Sequence, residues 1–192
     1  MMWIWIPIVF AILRMATGKY VFSALTTLSC AALVIRTSPL AGAALIVSAL
    51  GDWFMAHKGS REDLYIMGIV GFFAAHILWV IYGLRRVETL TIPLAVGALM
   101  SAFYAWYLTQ RALPKIPKGL KLPVALYSVI SLVAYTCAMT TGNIWYALGI
   151  CLLLFSDTMI AEHDFVGNQA TGVLILPTYY LCQILVAVSI LL

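Results

Sequence analysis

Ser48-Ala49-Leu50-Gly51-Asp52-Trp53-Phe54-Met55-Ala56 sets one carboxylate inside a long apolar run, and Leu152-Leu153-Leu154-Phe155-Ser156-Asp157-Thr158-Met159-Ile160-Ala161 does so again. Of the seven acidic residues, Glu62, Asp63, Glu88, Glu162 and Asp164 fall in or beside polar connections, where water is expected to solvate them. Asp52 and Asp157 do not. A charge at the centre of a bilayer costs roughly 2.5–3.5 kcal/mol on insertion scales, so it is retained where it faces a protein interior or a wet cavity. Two such positions in one chain point to a functional site. The competing account is an interhelical hydrogen bond that only holds helices together, worth about 0.6 kcal/mol on average in membranes.

Composition agrees with the membrane setting. The chain has 192 residues, 64% hydrophobic and 9% charged, and a mean hydropathy of +1.04, against about 25% charged residues in soluble domains. The expected fold is all-α, a polytopic transmembrane bundle forming one domain over 1–192. The net charge of +4 is spread among the connections, so it speaks to topology and headgroups, and no basic patch calls for nucleic acid. Cys30, Cys137, Cys151 and Cys182 lie in apolar runs without metal or redox spacing and read as packing residues. No glycine-rich phosphate loop or nucleophile elbow is present, and no cofactor is expected.

Eight helices are expected. The opening run lacks a positive n-region and is followed by Arg14, so it reads as helix 1, about Trp3 to Met15, and not as a cleaved signal. The others are about Tyr20–Ile35, Pro39–Ala56, Leu64–Leu84, Thr91–Leu108, Leu122–Met139, Ile144–Ala161 and Ala170–Leu192, with Gln110–Lys121 as the most basic connection. Pro39 suits a helix start, and Pro177 is expected to kink helix 8. Connections on one side carry eight basic residues (Arg14, Lys19, Lys58, Arg61, Arg111, Lys115, Lys118, Lys121) and those on the other three (Arg36, Arg85, Arg86). Basic connections stay in the cytoplasm. Both termini are therefore expected outside, in a plasma membrane of bacterial inner-membrane type, with Asp52 and Asp157 in the cytoplasmic half about 6–8 Å inside their helix ends.

Helices 3 and 4 correspond loosely to helices 7 and 8. Each carboxylate precedes a small residue (Ala56, Ala161), a turn with histidine (His57, His163) and a helix bearing mid-span polar groups. Four helices per half would make a parallel repeat, 1–88 and 89–192. The further candidates are Ser48, one turn before Asp52, His76 in mid-helix 4, and Tyr180 with Gln183, three apart after Pro177.

Ser48–Ala56, Gly68-Ile-Val-Gly-Phe-Phe-Ala-Ala-His-Ile-Leu-Trp-Val80, Leu152–Ala161 and Leu176-Pro-Thr-Tyr-Tyr-Leu-Cys-Gln-Ile-Leu185 resemble, in the same order, the motifs of the YhhN, or lysoplasmalogenase, family of eight-helix membrane proteins. One departure is Lys19-Tyr20, where relatives tend to open helix 2 with Lys-Pro. The resemblance implies a lysophospholipid substrate, a lysoplasmalogen whose vinyl ether is hydrolysed to a fatty aldehyde and glycerophosphoethanolamine or glycerophosphocholine. The residues suit that chemistry independently. Protonating the β-carbon of a vinyl ether creates an oxocarbenium ion, which a neutral carboxylic acid can generate and an ionised carboxylate can stabilise. Asp157, among Leu153, Leu154 and Ile160, reads as the more desolvated and hence the proton donor, with Asp52 as its ionised partner. Two rivals remain. Paired intramembrane carboxylates also suit an ion- or proton-coupled transporter, and a zinc site would need His57, His76 and His163 to converge, so no metal is expected.

Overall fold

The computed structural model describes residues 3–59, 61–88 and 91–192. Among these residues the chain forms eight α-helices and no strand: α1 (Trp5–Thr17), α2 (Val21–Val34), α3 (Pro39–Ala56), α4 (Glu62–Leu84), α5 (Thr91–Arg111), α6 (Lys118–Met139), α7 (Ile144–Ala161) and α8 (Gly172–Leu191). The opening Met1-Met2 and the start of the second half at residue 89 lie outside the described residues.

The two carboxylate-bearing helices have the bounds expected of them, because both are capped by sequence. Ser38 accepts the Ala41 N–H at 3.4 Å ahead of Pro39, and Asn143 accepts the Tyr146 N–H at 3.1 Å. Elsewhere the helices take up polar residues expected in connections. α6 begins at Lys118, four residues earlier than expected, since Pro117 (φ −53°, ψ 146°) already makes the extended entry to a helix. Most of the Gln110–Lys121 connection is thus helical, including a 3-10 turn at Leu113–Lys115. Glu62 and Asp63 open α4, where acidic groups complement the helix dipole.

Among the described residues six helices are long and apolar enough to cross a membrane, whereas α1 and α2 are shorter, at 13 and 14 residues. Thirteen residues at 1.5 Å each span about 20 Å, well short of a hydrocarbon core about 30 Å thick. Arg14, in the last turn of α1, is half-buried, with its Nε shielded from solvent.

α3 packs most closely on α4 and α7 on α8. In hydrocarbon, helices associate through close backbone approach at small residues. A Cβ at Gly71 of α4 would stand 3.1 Å from the Gly51 backbone of α3, and one at Gly149 of α7 would stand 2.6 Å from Val186 of α8. Contacts of α4 with α6 and of α2 with α8 close the bundle. Away from the carboxylates, the Tyr146 hydroxyl donates to the Trp79 carbonyl at 3.0 Å inside a Trp79–Tyr82–Tyr146 aromatic cluster. α5 stands apart, with Leu99, Phe103 and Trp106 turned outward, and its inner face leaves a groove toward α6 and α7.

Candidate active site

Asp52 lies one turn before the end of α3, buried against α2, where Thr27 Oγ1 donates to Asp52 Oδ2 at 2.6 Å. Asp157 holds the corresponding place on α7, and Tyr127 of α6 donates to its Oδ2 at 2.7 Å. Each carboxylate is thus held by a neutral hydroxyl from the preceding even-numbered helix. Both line one cavity of about 360 Å³, together with Arg14, Lys58, Asp164 and Tyr179.

A second cavity, about 210 Å³ and almost wholly apolar in lining, runs between α4, α5, α6 and α7. Asp157, Met55, Phe72 and Ile160 line both spaces. Asp157 accordingly stands where a polar chamber meets an apolar one. The expectation that Asp157 is the more desolvated carboxylate is reversed, since Asp52 is buried and Asp157 half-buried. Asp157 borders both cavities, with Leu154 and Ile160 beside it on the apolar one.

His76 is buried behind Asp157. Its Nδ1 lies 2.8 Å from the Phe72 carbonyl, which can only accept, so Nδ1 carries the hydrogen and Nε2 is left facing Asp157 Oδ2 at 4.0 Å. The Tyr127 ring stands edge-on to the imidazole at 5.1 Å. His76 lines neither cavity and reaches the site only through Asp157.

The sequence model of the YhhN family matches residues 9–190. The chain belongs to the YhhN family. No curated protein and no solved structure matches it.

Of the residues singled out in this YhhN chain, Asp52 and Asp157 share a cavity and His76 stands beside the second. Ser48, Tyr180 and Gln183 are buried and line neither cavity. Tyr180 donates to Ser23 Oγ at 2.9 Å, and among the described residues Gln183 Nε2 has no partner. The tyrosine at the site is its neighbour Tyr179, 6% exposed, whose hydroxyl lies beside Asp52 and Thr27. Thr27 and Tyr127 carried no sequence signal of their own, although comparing the helices before α3 and α7 would have singled out hydroxyls there.

Glu162 is also unlike its expectation. It is not solvated in a connection but 5% exposed in its side chain, because α7 continues through a π-helical turn, Glu162–Val166, that turns it back into the bundle. Arg111 donates to it at 2.7 and 3.2 Å, Asn168 at 3.4 Å, and Tyr107 also donates. Among the described residues no three histidine, cysteine or carboxylate side chains are grouped as a metal would need. His57 sits on the Trp53 carbonyl at 2.7 Å and His163 on Asp164 at 2.9 Å.

Proposed function

We propose that this YhhN protein is a lysoplasmalogenase, a hydrolase that cleaves the vinyl ether of a 1-alkenyl glycerophospholipid lacking its second chain. The observation that carries this reading is the position of Asp157 at the junction of a polar and an apolar cavity, with Asp52 in the polar one. A lysoplasmalogen has the same partition, since its vinyl ether joins an apolar tail to a polar glycerophospho headgroup. With the tail in the groove beside α5, the reactive double bond lies against Asp157.

Although Asp52 is the more buried, Asp157 alone of the two lines the apolar cavity as well as the polar one, and it is Asp157, protonated, that gives its proton to the β-carbon. The alkene electron pair forms the new C–H bond and leaves an oxocarbenium ion, whose charge the ionised carboxylates balance. Water adds to the α-carbon and releases a proton to a carboxylate. The hemiacetal then collapses: its C–O bond to glycerol breaks, the glycerol oxygen takes a proton, and the aldehyde forms. General acid–base assistance of this kind contributes typically 10²–10⁴-fold. His76 stands behind the donor, its Nε2 4.0 Å from Asp157 Oδ2, where a small shift of either side chain would let the two bond. With the basic connections in the cytoplasm, both termini are outside and the polar chamber opens inward, in a bacterial plasma membrane.

Purified protein should release aldehyde from a vinyl ether lysolipid and not from its saturated alkyl twin, followed by a coupled aldehyde dehydrogenase reaction. A diradyl plasmalogen should turn over poorly, because the apolar groove offers space for one chain. Absence of aldehyde together with proton or solute flux in proteoliposomes would replace the hydrolase with a transporter.

A further inference from the structure

The polar chamber holds more than the proposed chemistry uses. Arg14 and Lys58 bring two cations to its wall, and among the described residues the buried Arg14 Nε has no hydrogen-bond partner. Buried donors left without acceptors cost about 1–3 kcal/mol each. The guanidinium and the ammonium complement a group that only accepts hydrogen bonds and is negatively charged, such as a phosphate diester, on a wall that also carries the carboxylates Asp52, Asp157 and Asp164.

Lys58 is not idle in the chamber. Its ammonium pairs with Asp164 and lies over the Tyr65 ring at 4.3 Å. Asp164 is held independently of that lysine, accepting from Tyr65 at 2.8 Å and meeting His163 Nδ1 at 2.9 Å. The lysine thus acts as an internal stand-in for a primary ammonium, resting on a carboxylate that stays in place if the lysine leaves.

Resting on the lysolipid reading above, we propose that the chamber reads a zwitterionic headgroup by exchanging ion pairs: the phosphate takes Arg14 and draws Lys58 off Asp164, and Asp164 takes the headgroup's primary ammonium. The exchange keeps every charge paired only when the ligand carries both signs. A bare phosphate would draw Lys58 away and strand Asp164. A trimethylammonium would pair with Asp164 by charge but has no N–H to donate. Ethanolamine-type headgroups are therefore favoured over choline, and choline over an unsubstituted phosphate monoester.

The test uses saturated alkyl-ether lysolipids bearing ethanolamine, choline or unsubstituted phosphate, which lack the reactive double bond. Their binding to the full-length protein in nanodiscs is measured by calorimetry, with inorganic phosphate as competitor. Arg14→Gln and Lys58→Met should each weaken the ethanolamine ligand about tenfold or more, the scale of a lost charge-assisted hydrogen bond. Asp164→Asn should erase the preference for ethanolamine over the phosphate monoester. Should Arg14→Gln fail to fold, Lys58→Met and Arg14→Lys carry the comparison. The proposal is overturned if the three headgroups bind alike, if inorganic phosphate competes as well as the ethanolamine ligand binds, or if Asp164→Asn keeps the preference. Binding with this order but without aldehyde release from a vinyl ether would refute the hydrolase and leave the headgroup site standing. Aldehyde release without headgroup preference would do the reverse.

Discussion

Asp157→Asn isolates the proton from everything else the residue does. Asparagine keeps the size of the side chain, and its Oδ1 can still accept from the Tyr127 hydroxyl, which stands 2.7 Å from the carboxylate. The half-buried tyrosine keeps its acceptor, so the variant should fold with nearly unchanged thermal stability. Alanine would be a poorer test, because stranding that hydroxyl costs about 1–3 kcal/mol and mixes folding with chemistry. What asparagine lacks is the acidic proton. A loss of 10²–10⁴ in turnover, about 3–5.5 kcal/mol in the barrier at 1.36 kcal/mol per decade, is expected while lipid affinity holds. The assay is single-turnover aldehyde release in detergent, with binding of the saturated alkyl lysolipid measured in parallel. Slow protonation of carbon also predicts that wild-type turnover falls in deuterium oxide. A well-folded Asp157→Asn protein within about threefold of wild type would remove Asp157 from the chemistry, and the junction of the cavities would then have to be explained without it.

Thr27→Val and Tyr127→Phe each strip one hydroxyl from a carboxylate, at 2.6 and 2.7 Å; each should lower turnover about tenfold with little change in lipid binding, and unchanged kcat in both would reduce these bonds to packing. Glu162→Ala should cost about 1–3 kcal/mol in detergent thermal unfolding by leaving Tyr107 and Asn168 without an acceptor. The figure stays below that of a fully buried pair because Arg111, 52% exposed, can turn to water. Gly71→Val would push a side chain against the Gly51 backbone, 3.1 Å from the nearest Cβ position, and should destabilise the α3–α4 pair by about 1–3 kcal/mol; a neutral effect on unfolding would mean that the helices separate freely.

The helices were legible because hydrophobic runs and caps are local signals. Ser38-Pro39 and Asn143 name the starts of α3 and α7 in the sequence itself. Asp52 and Asp157 were legible for a similar reason, since a carboxylate in an apolar run stands out whatever surrounds it. What stayed hidden depends on how helices are rotated and placed. Tyr179 and Tyr180 are adjacent, and only the turn of α8 decides that the first faces the cavity while the second reaches Ser23. Glu162 looked like a solvated turn residue because a π-helical turn has no evident sequence signal here, and one extra residue per turn rotates the side chain inward. Arg14 reads as a surface charge in the sequence, and only the packing around α1 brings it to the wall of the polar cavity with its Nε buried.

The surroundings of the two carboxylates bear on how the chain is built. Asp52 on α3 takes a hydroxyl from α2 and has Tyr179 of α8 on its cavity; Asp157 on α7 takes a hydroxyl from α6 and has His76 of α4 beside it. Exchanging the halves, α1–α4 for α5–α8, maps each of these relations onto the other, and it maps the α4–α6 contact onto α2–α8 as well. These equivalences favour reading the chain as two parallel halves related by an axis along the membrane normal. The scaffold is similar on both sides, but the chemistry is not. Where Asp52 has a threonine, Asp157 has a tyrosine, and where Asp52 has a tyrosine, Asp157 has an imidazole that can carry a proton. A reaction that needs one protonated and one ionised carboxylate gains from that inequality, because identical surroundings would give neither aspartate a reason to hold the proton. Divergence of the flanking residues, with the aspartates kept in matching places, is what a duplicated bundle would need to become a directional acid–base pair.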